Sequence, residues 1–357
     1  MKDDPGAGRV TGETGGGGRP PPVDYEPVPD PLLRNAPLPV ETVLPVLGIP
    51  VRFRSNAPAV VEVAETAFER WRALEETPAL AELVEREGVE IVVVVHEGDE
   101  GGAEHAPVRY RVLEDKRVLY QTHGSVAFAD PARRQARAFV TPALVADRDH
   151  FRYALLEGMT LSLLTPLDRQ PFHAAALVRD GTALLLAGPS GTGKSTLAYA
   201  AVRDGLDLLA EDTVFLQSRP SLRIWGLPGF LHLPPDARER FPELTGEVPT
   251  MLANGKRKLS LDLRALDALP TRPVVDRAGV CLLRREGGRG DLEPVAADVL
   301  ADHLIDGLEP GFDIFADTIR EPVELLTAGG GWRLTLADHP ERALPWIHQM
   351  LDEVERR

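Results

Sequence analysis

The chain has 357 residues, a net charge of −15, and 43% hydrophobic against 27% charged side chains, room for roughly two domains with a sizeable core. The acidic balance excludes non-specific nucleic-acid binding, which needs a basic face against the phosphates, and disfavours anionic membranes. No apolar run reaches the roughly 18 residues of a membrane span, and the single cysteine, Cys281, excludes an intrachain disulfide.

Residues 1–45 are rich in Gly and Pro, with Gly15-Gly16-Gly17-Gly18 and Pro20-Pro21-Pro22. Such a segment buries too little apolar surface to offset chain entropy and is expected to be a disordered tail. Together with one cysteine and no basic-then-apolar leader pattern, it fits a cytoplasmic protein.

A smaller α+β domain is expected over residues 46–149. Val51-Arg52-Phe53-Arg54 alternates like a strand. Ser55 or Asn56 could cap a following helix that runs to Trp71, with Val60, Val63, Ala64, Phe68 and Trp71 as its apolar stripe. The run 91–95 predicts a buried strand, and 110–112, 118–121 and 136–141 predict shorter ones. No catalytic constellation shows here: His96, His105 and His123 lack metal-ligand spacing.

A nucleotide-binding domain is expected over residues 150–357. Leu155, Leu156, Met159 and Leu163 share one face of a helix predicted over 150–164. Strand 171–177 turns at Arg179-Asp180-Gly181, a hairpin signal, into the apolar strand 182–187. Then come Gly188-Pro189-Ser190-Gly191-Thr192-Gly193-Lys194-Ser195, and a helix from Thr196 that stops near Gly205. Strand, glycine-rich loop and helix in that order are the context that a phosphate-binding loop requires. The glycines admit backbone conformations closed to other residues. Successive N–H groups can then converge on phosphate oxygens beside the positive end of the helix. Lys194 supplies a cation to the β- and γ-phosphates, and Ser195 a hydroxyl to Mg²⁺. ATP with Mg²⁺ is the expected occupant, held by residues 188–195 and Thr196.

The short strand 206–210 ends at Glu211-Asp212, and an apolar strand resumes at Thr213. Adjacent carboxylates between apolar runs are costly unless a cation satisfies them; Mg²⁺ beside Ser195 would do so. A carboxylate there can also take the proton of an attacking hydroxyl. A solvated turn is the plainer alternative. His173 would be carried by the hairpin to the end of the strand that feeds the loop, as a structural or a catalytic residue. Gly255-Lys256-Arg257-Lys258 reads equally as a cation source for phosphates or substrate and as a solvated hairpin tip. Short strands at 279–283, which holds Cys281, and at 332–336 mix with helices at 298–306 and 340–355. His232, His303, His339 and His348 show no partner spacing.

The ordered set of His173, the loop 188–195, Arg203-Asp204-Gly205, Glu211-Asp212 and Ile224-Trp225-Gly226-Leu227-Pro228 resembles the HPr kinase/phosphorylase family, and more closely its shorter relatives. The resemblance covers about a quarter of the chain, residues 171–263. It implies a P-loop kinase domain similar to the nucleotide domain of phosphoenolpyruvate carboxykinases, an α/β fold with a mixed sheet. It also implies transfer of the γ-phosphoryl of ATP to a hydroxyl, typically a serine. By the same resemblance Lys194 and the loop amides bind phosphates, Ser195 binds Mg²⁺, Asp212 is a base or metal ligand, and His173 lies near the γ-phosphate. Glu211 stands where the family has Asp, and the HPr-specific signature after Gly226 is not clearly present. Neither HPr as acceptor nor the reverse reaction is therefore implied. The expected partner is a peptide, protein or small-molecule hydroxyl acceptor. Neither nucleic acid nor a membrane is expected, and self-association is left open. A nucleotide-binding regulator without transferase activity is the alternative from another class.

Overall fold

The computed structural model describes residues 35–96, 108–122, 124–227, 229–252, 256–286, 290–308, 314–337 and 339–357. Residues 1–34 of the expected tail, together with His105, His123, Pro228 and Gly255, lie outside the described residues. The fold is mixed α/β, built on two large mixed sheets and a small third one.

The first sheet has seven strands: β1 (Val40–Val46), β2 (Ile49–Ser55), β3 (Val89–Val95), β4 (Arg109–Val112), β5 (Val118–Thr122), β6 (Ser125–Asp130) and β7 (Gln135–Val140), in the order β1-β2-β3-β7-β6-β5-β4. β1 occupies residues that the sequence assigned to the end of the tail. It pairs along its whole length with β2, Val40 opposite Ser55 and Val46 opposite Ile49, so the ladder with β2 orders it. The helix Pro58–Phe68 and a 3₁₀ turn through Trp71 follow β2. All five stripe residues, Val60, Val63, Ala64, Phe68 and Trp71, are buried. Phe53 stacks on Phe68 at 5.4 Å, and each such side chain contributes roughly 1.5–3 kcal/mol of burial.

Neither Ser55 nor Asn56 caps this helix; its N-cap is Ala57, because Pro58 holds the first helical position and needs no N–H there. Ser55 Oγ instead accepts from Ala57 N at 3.1 Å. The Asn56 amide clasps the backbone of Val95, donating to its O and accepting from its N, both at 2.8 Å.

The second sheet comprises β8 (Gln170–Arg179), β9 (Thr182–Ala187), β10 (Asp207–Ala210), β11 (Thr213–Gln217), β12 (Arg223–Gly226), β16 (Val274–Val275), β17 (Arg277–Arg285), β18 (Asp291–Val295) and β19 (Gly331–Leu336). Its order is β16-β12-β11-β8-β9-β17-β19-β18, with β10 also on β8. Only β9, β17 and β19 run parallel; every other pairing is antiparallel. Cys281 is fully buried on β17. The third sheet, β13 (Phe230–Leu233), β14 (Thr250–Met251) and β15 (Arg257–Asp262), has the order β13-β15-β14.

The helical run after β7 is not continuous α-helix. It is α-helical over Arg148–Phe151, a π-turn over Arg152–Leu156, and α-helical again over Glu157–Leu164. Phe151, Leu155, Leu156, Met159 and Leu163 join the core of the seven-stranded sheet, which also takes in Phe215, Trp225 and Val274 from the later part of the chain. The helix Lys194–Arg203 buries Leu197, Ala198 and Ala201 in a second core. That core is shared with the inner faces of β13 and β15 and with the last helix, Leu344–Arg356. No helix among the described residues is long and apolar enough to cross a membrane.

Candidate active site

The β8–β9 hairpin sets the frame. Asp180 and Gly181 both take positive φ, +48° and +77°, the conformation of a two-residue hairpin turn that matches strand twist. Pairing then runs from Arg179 opposite Thr182 to Ala174 opposite Ala187. His173 is the next residue of β8, level with the point where β9 gives way to the loop 188–193.

Within that loop Gly188, Gly191 and Gly193 have φ of +153°, +87° and +104°. A Cβ on Gly188 would meet the Leu283 carbonyl at 2.9 Å, so backbone freedom and close approach both require glycine there. Gly193 caps the helix Lys194–Arg203 without any side-chain bond. The helix-start N–H groups are left to whatever lies before them. Lys194 is buried and its Nζ donates to the carbonyls of Gly188 at 2.5 Å and Pro189 at 3.3 Å. The ammonium is thereby held over the concave side of the loop. Thr192 Oγ1 donates to Pro189 O at 2.9 Å and braces the turn. Pro189 and Ser190 lie in the loop, and Thr196 on the first turn of the helix.

The carboxylates arrive along β8 from its other side. β10 and β11 both pair with β8: Ala210 lies opposite Ala176 and Thr213 opposite His173. Glu211 and Asp212 are the two residues between, where the ladder breaks. They lie across β8 from the end of β9, about two strand spacings, roughly 10 Å, from the strand that enters the loop. The small side chains of Ala174 and Ala175 lie between, which leaves the approach clear. Ser195 Oγ donates to Glu211 Oε1 at 3.1 Å. Glu211 Oε2 accepts from His232 Nδ1 at 2.7 Å. A carboxylate has no proton to give, so the imidazole is the donor. Asp212 Oδ1 stands 3.5 Å from His173 Nδ1. The Glu211 side chain is 11% exposed and that of Asp212 is 63% exposed, so one acid is held inside the site and the other reaches out of it. The structure thus brings Lys194, Ser195, Glu211, Asp212 and His173 together.

The donor set suits Mg²⁺ of the kind that accompanies a triphosphate. Such an ion takes one or two protein carboxylates, keeps waters and takes its remaining oxygens from phosphates. Ser195 Oγ and Glu211 Oε1, 3.1 Å apart, are oxygens of the right type at adjacent positions. No group of three or more His, Cys, Asp or Glu side chains that could hold a metal by itself occurs among the described residues.

No family model matches the chain, and no curated protein matches it. Among solved structures, the Hpr(Ser) kinase/phosphatase from Coxiella burnetii aligns at 17% identity over 53% of this chain and 91% of that chain, with a TM-score of 0.29. It is a distant structural neighbour, and at that distance the likeness carries no argument about what this chain does.

Three residues at or beside the site were not legible in the sequence. His232 was read as partnerless, because its partner is 21 residues away and reached only when β13 crosses the site. Tyr153, on the π-turn, is 52% exposed. Burial, then the charges of Glu157, Asp212 and Glu211, push its hydroxyl pKa up, which puts it within electrostatic reach of both carboxylates. Glu157, one turn on and 15% exposed, has its Oε1 3.5 Å from Arg152 Nε. Burial pushes the Glu157 carboxyl up to about 7, against a smaller lowering by Arg152. The only available signal for these two was negative: both fall off the apolar stripe of the predicted helix.

Proposed function

We propose that this protein is an ATP-dependent phosphotransferase of the P-loop kinase type, whose nucleotide domain is related to that of HPr kinases, and that it transfers the γ-phosphoryl group to a hydroxyl, in the first instance a serine of a peptide or protein. The observation that carries this reading is the Ser195–Glu211 hydrogen bond of 3.1 Å. It joins the helix that follows a glycine-rich loop to an acidic pair at the break between β10 and β11. A loop that only bound an anion would have no use for two carboxylates beside it, since they repel phosphate; a metal-bound triphosphate makes them favourable.

The roles divide by burial. Loop amides 188–195 and Lys194 hold the phosphates, and Thr196 adds its N–H on the first turn. Ser195 and Glu211 would hold Mg²⁺, which would supply charge neutralisation to the triphosphate when bound. Asp212, exposed and beside His173, faces the acceptor and takes the proton of its hydroxyl. In the step, the acceptor oxygen forms a bond to the γ-phosphorus while the bond from that phosphorus to the bridging oxygen breaks. ADP leaves with the electron pair, and the hydroxyl proton passes to Asp212. Lys194 and the loop amides stabilise the charge spread over the transferring group.

The test is incubation of the full chain with γ-labelled ATP, Mg²⁺, and candidate peptides and metabolites, with mass spectrometry of the products. Label on a serine of a peptide is the expected result. Label on a small metabolite alone would move the acceptor to that class. Release of free phosphate with no phosphorylated product would remove the transferase reading in favour of a nucleotide-binding regulator.

A further inference from the structure

The third sheet is a feature of the site that phosphoryl transfer alone does not explain. Its inner face is packed: Leu231, Leu233, Leu259 and Leu261 share a buried core with Leu197, Ala198 and Ala201 of the helix Lys194–Arg203. Side chains alternate along a strand, so the residues between these leucines form the other face. Register places His232 opposite Ser260 and Thr250 opposite Lys258. Thr250 Oγ1 and Ser260 Oγ are 3.1 Å apart. A continuous polar track therefore leads from Ser195 through Glu211 and His232 to Ser260, Thr250 and Lys258.

The track is charged asymmetrically. Its far end carries Lys258, opposite Thr250, which has no acidic partner among the described residues, although the chain as a whole bears −15. Its near end carries Asp262, opposite Phe230, with Arg264 3.8 Å away. Met251, the exposed residue next to Thr250 on β14, adds an apolar side chain at this edge of the sheet, 61% exposed. A half-exposed cation beside hydroxyl groups and an apolar edge suits an extended chain with an acidic side chain, rather than a compact metabolite.

We propose that the outward face of the sheet β13-β15-β14 binds the acceptor as an extended polypeptide segment, and that Lys258 takes an acidic side chain two residues from the acceptor hydroxyl. The spacing follows from the strand. Lys258 is two residues from Ser260, which is level with His232 and hence with Glu211, about 7 Å at strand rise. A peptide lying along the sheet with its serine at the carboxylates puts a side chain two positions away over Lys258. This inference rests on the kinase reading above and narrows its substrate class.

The experiment uses the full chain with labelled ATP, Mg²⁺ and alanine-based serine peptides, each with a single glutamate at one position from four before to four after the serine. The expected result is a maximum in kcat/KM when the glutamate is two residues from the serine on one side. Relative to the glutamine peptide the gain is about tenfold, equivalent to about 1.4 kcal/mol. Lys258→Gln erases the preference, and Lys258→Glu transfers it to the matching lysine peptide. Equal use of all peptides by the unaltered protein, phosphorylation of none of them, or a preference that survives Lys258→Gln would overturn the inference. So would a rise in KM for ATP in Lys258→Gln with the peptide preference intact, which would assign the lysine to the nucleotide. The kinase reading fails separately, by loss of ATP binding or of transfer to every acceptor.

Discussion

The two large sheets use the same side-chain chemistry to different ends. In the seven-stranded sheet, charges pair off at the surface: Arg52 with Glu41 at 2.9 Å, Arg54 with Glu90 at 3.2 Å, and Arg134 with Glu87 at 2.5 Å. All six side chains are about a third or more exposed, so each pair contributes little. A cleft of about 400 Å³ opens among them, lined by Arg52, Arg86, Arg133, Arg134 and Glu90, and no residue of the glycine-rich loop lines it. In the nine-stranded sheet the two acids at one strand break converge on neighbouring groups, Glu211 on Ser195 and His232 and Asp212 on His173. The β10–β11 strand breaks opposite β8, and at the break Glu211 meets Ser195 while the exposed Asp212 stands beside His173. The proposed site rests on an interrupted strand beside a glycine-rich turn and not on the charged cleft of the first sheet.

The contrast is sharpest in what each region should lose on mutation. Lys194→Ala removes the cation over the loop and should reduce phosphoryl transfer by about 10³-fold, with the fold retained; retained transfer in that variant would remove the loop from the mechanism. Phe68→Ala should do the reverse. Loss of its stacked ring from the first core should cost about 3–5 kcal/mol in denaturant unfolding and leave ATP affinity per folded molecule alone. A change in that affinity would mean that the two regions are less separate in function than their charges are.

Glu157 lies on the helix that packs in the first core, beside Arg152. Its carboxyl rises from the ordinary 4.5 to about 7 on folding. The folded state therefore holds this proton more tightly than the unfolded one. The stability it contributes is complete below about 4.5 and is lost as pH rises to about 7, a change on the order of 3 kcal/mol. Glu157→Gln should flatten the stability–pH profile in that window; an unchanged slope would mean that the proton is not held there. Asp212→Asn should lower kcat by about 10²-fold with little effect on ATP affinity if it accepts the acceptor proton. Loss of metal binding with a smaller effect on kcat would make it a ligand instead.

Much of this arrangement was legible in the sequence because it is local. The apolar run into Gly188, the glycines at positions needing positive φ, and Gly205 after the helix (φ +93°) are all set by residues adjacent in the chain. The Val60–Trp71 stripe is likewise a matter of helical period. What was not legible depends on contacts distant in sequence. β1 is ordered by its ladder with β2. His232 meets Glu211 through the path of β13. The π-turn at Arg152–Leu156 inserts a residue without altering the apolar pattern, and it turns Tyr153 outward. The helix Ala316–Thr327 was missed because Pro322 lies inside it, where a proline ordinarily ends a helix. Here Pro322 is buried beside Ile319, Val323 and Leu326, so tertiary packing outweighs the lost backbone bond.

The claim on which the rest stands is that Glu211 meets a metal ion held by a triphosphate at Ser195. The most direct measurement is ATP affinity with and without Mg²⁺, by calorimetry, for the unaltered protein and for Glu211→Gln. Mg²⁺ should tighten ATP binding in the unaltered protein, and Glu211→Gln should remove most of that gain while binding of metal-free ATP is unchanged or slightly improved. A Mg²⁺ effect of the same size in both proteins would contradict the account.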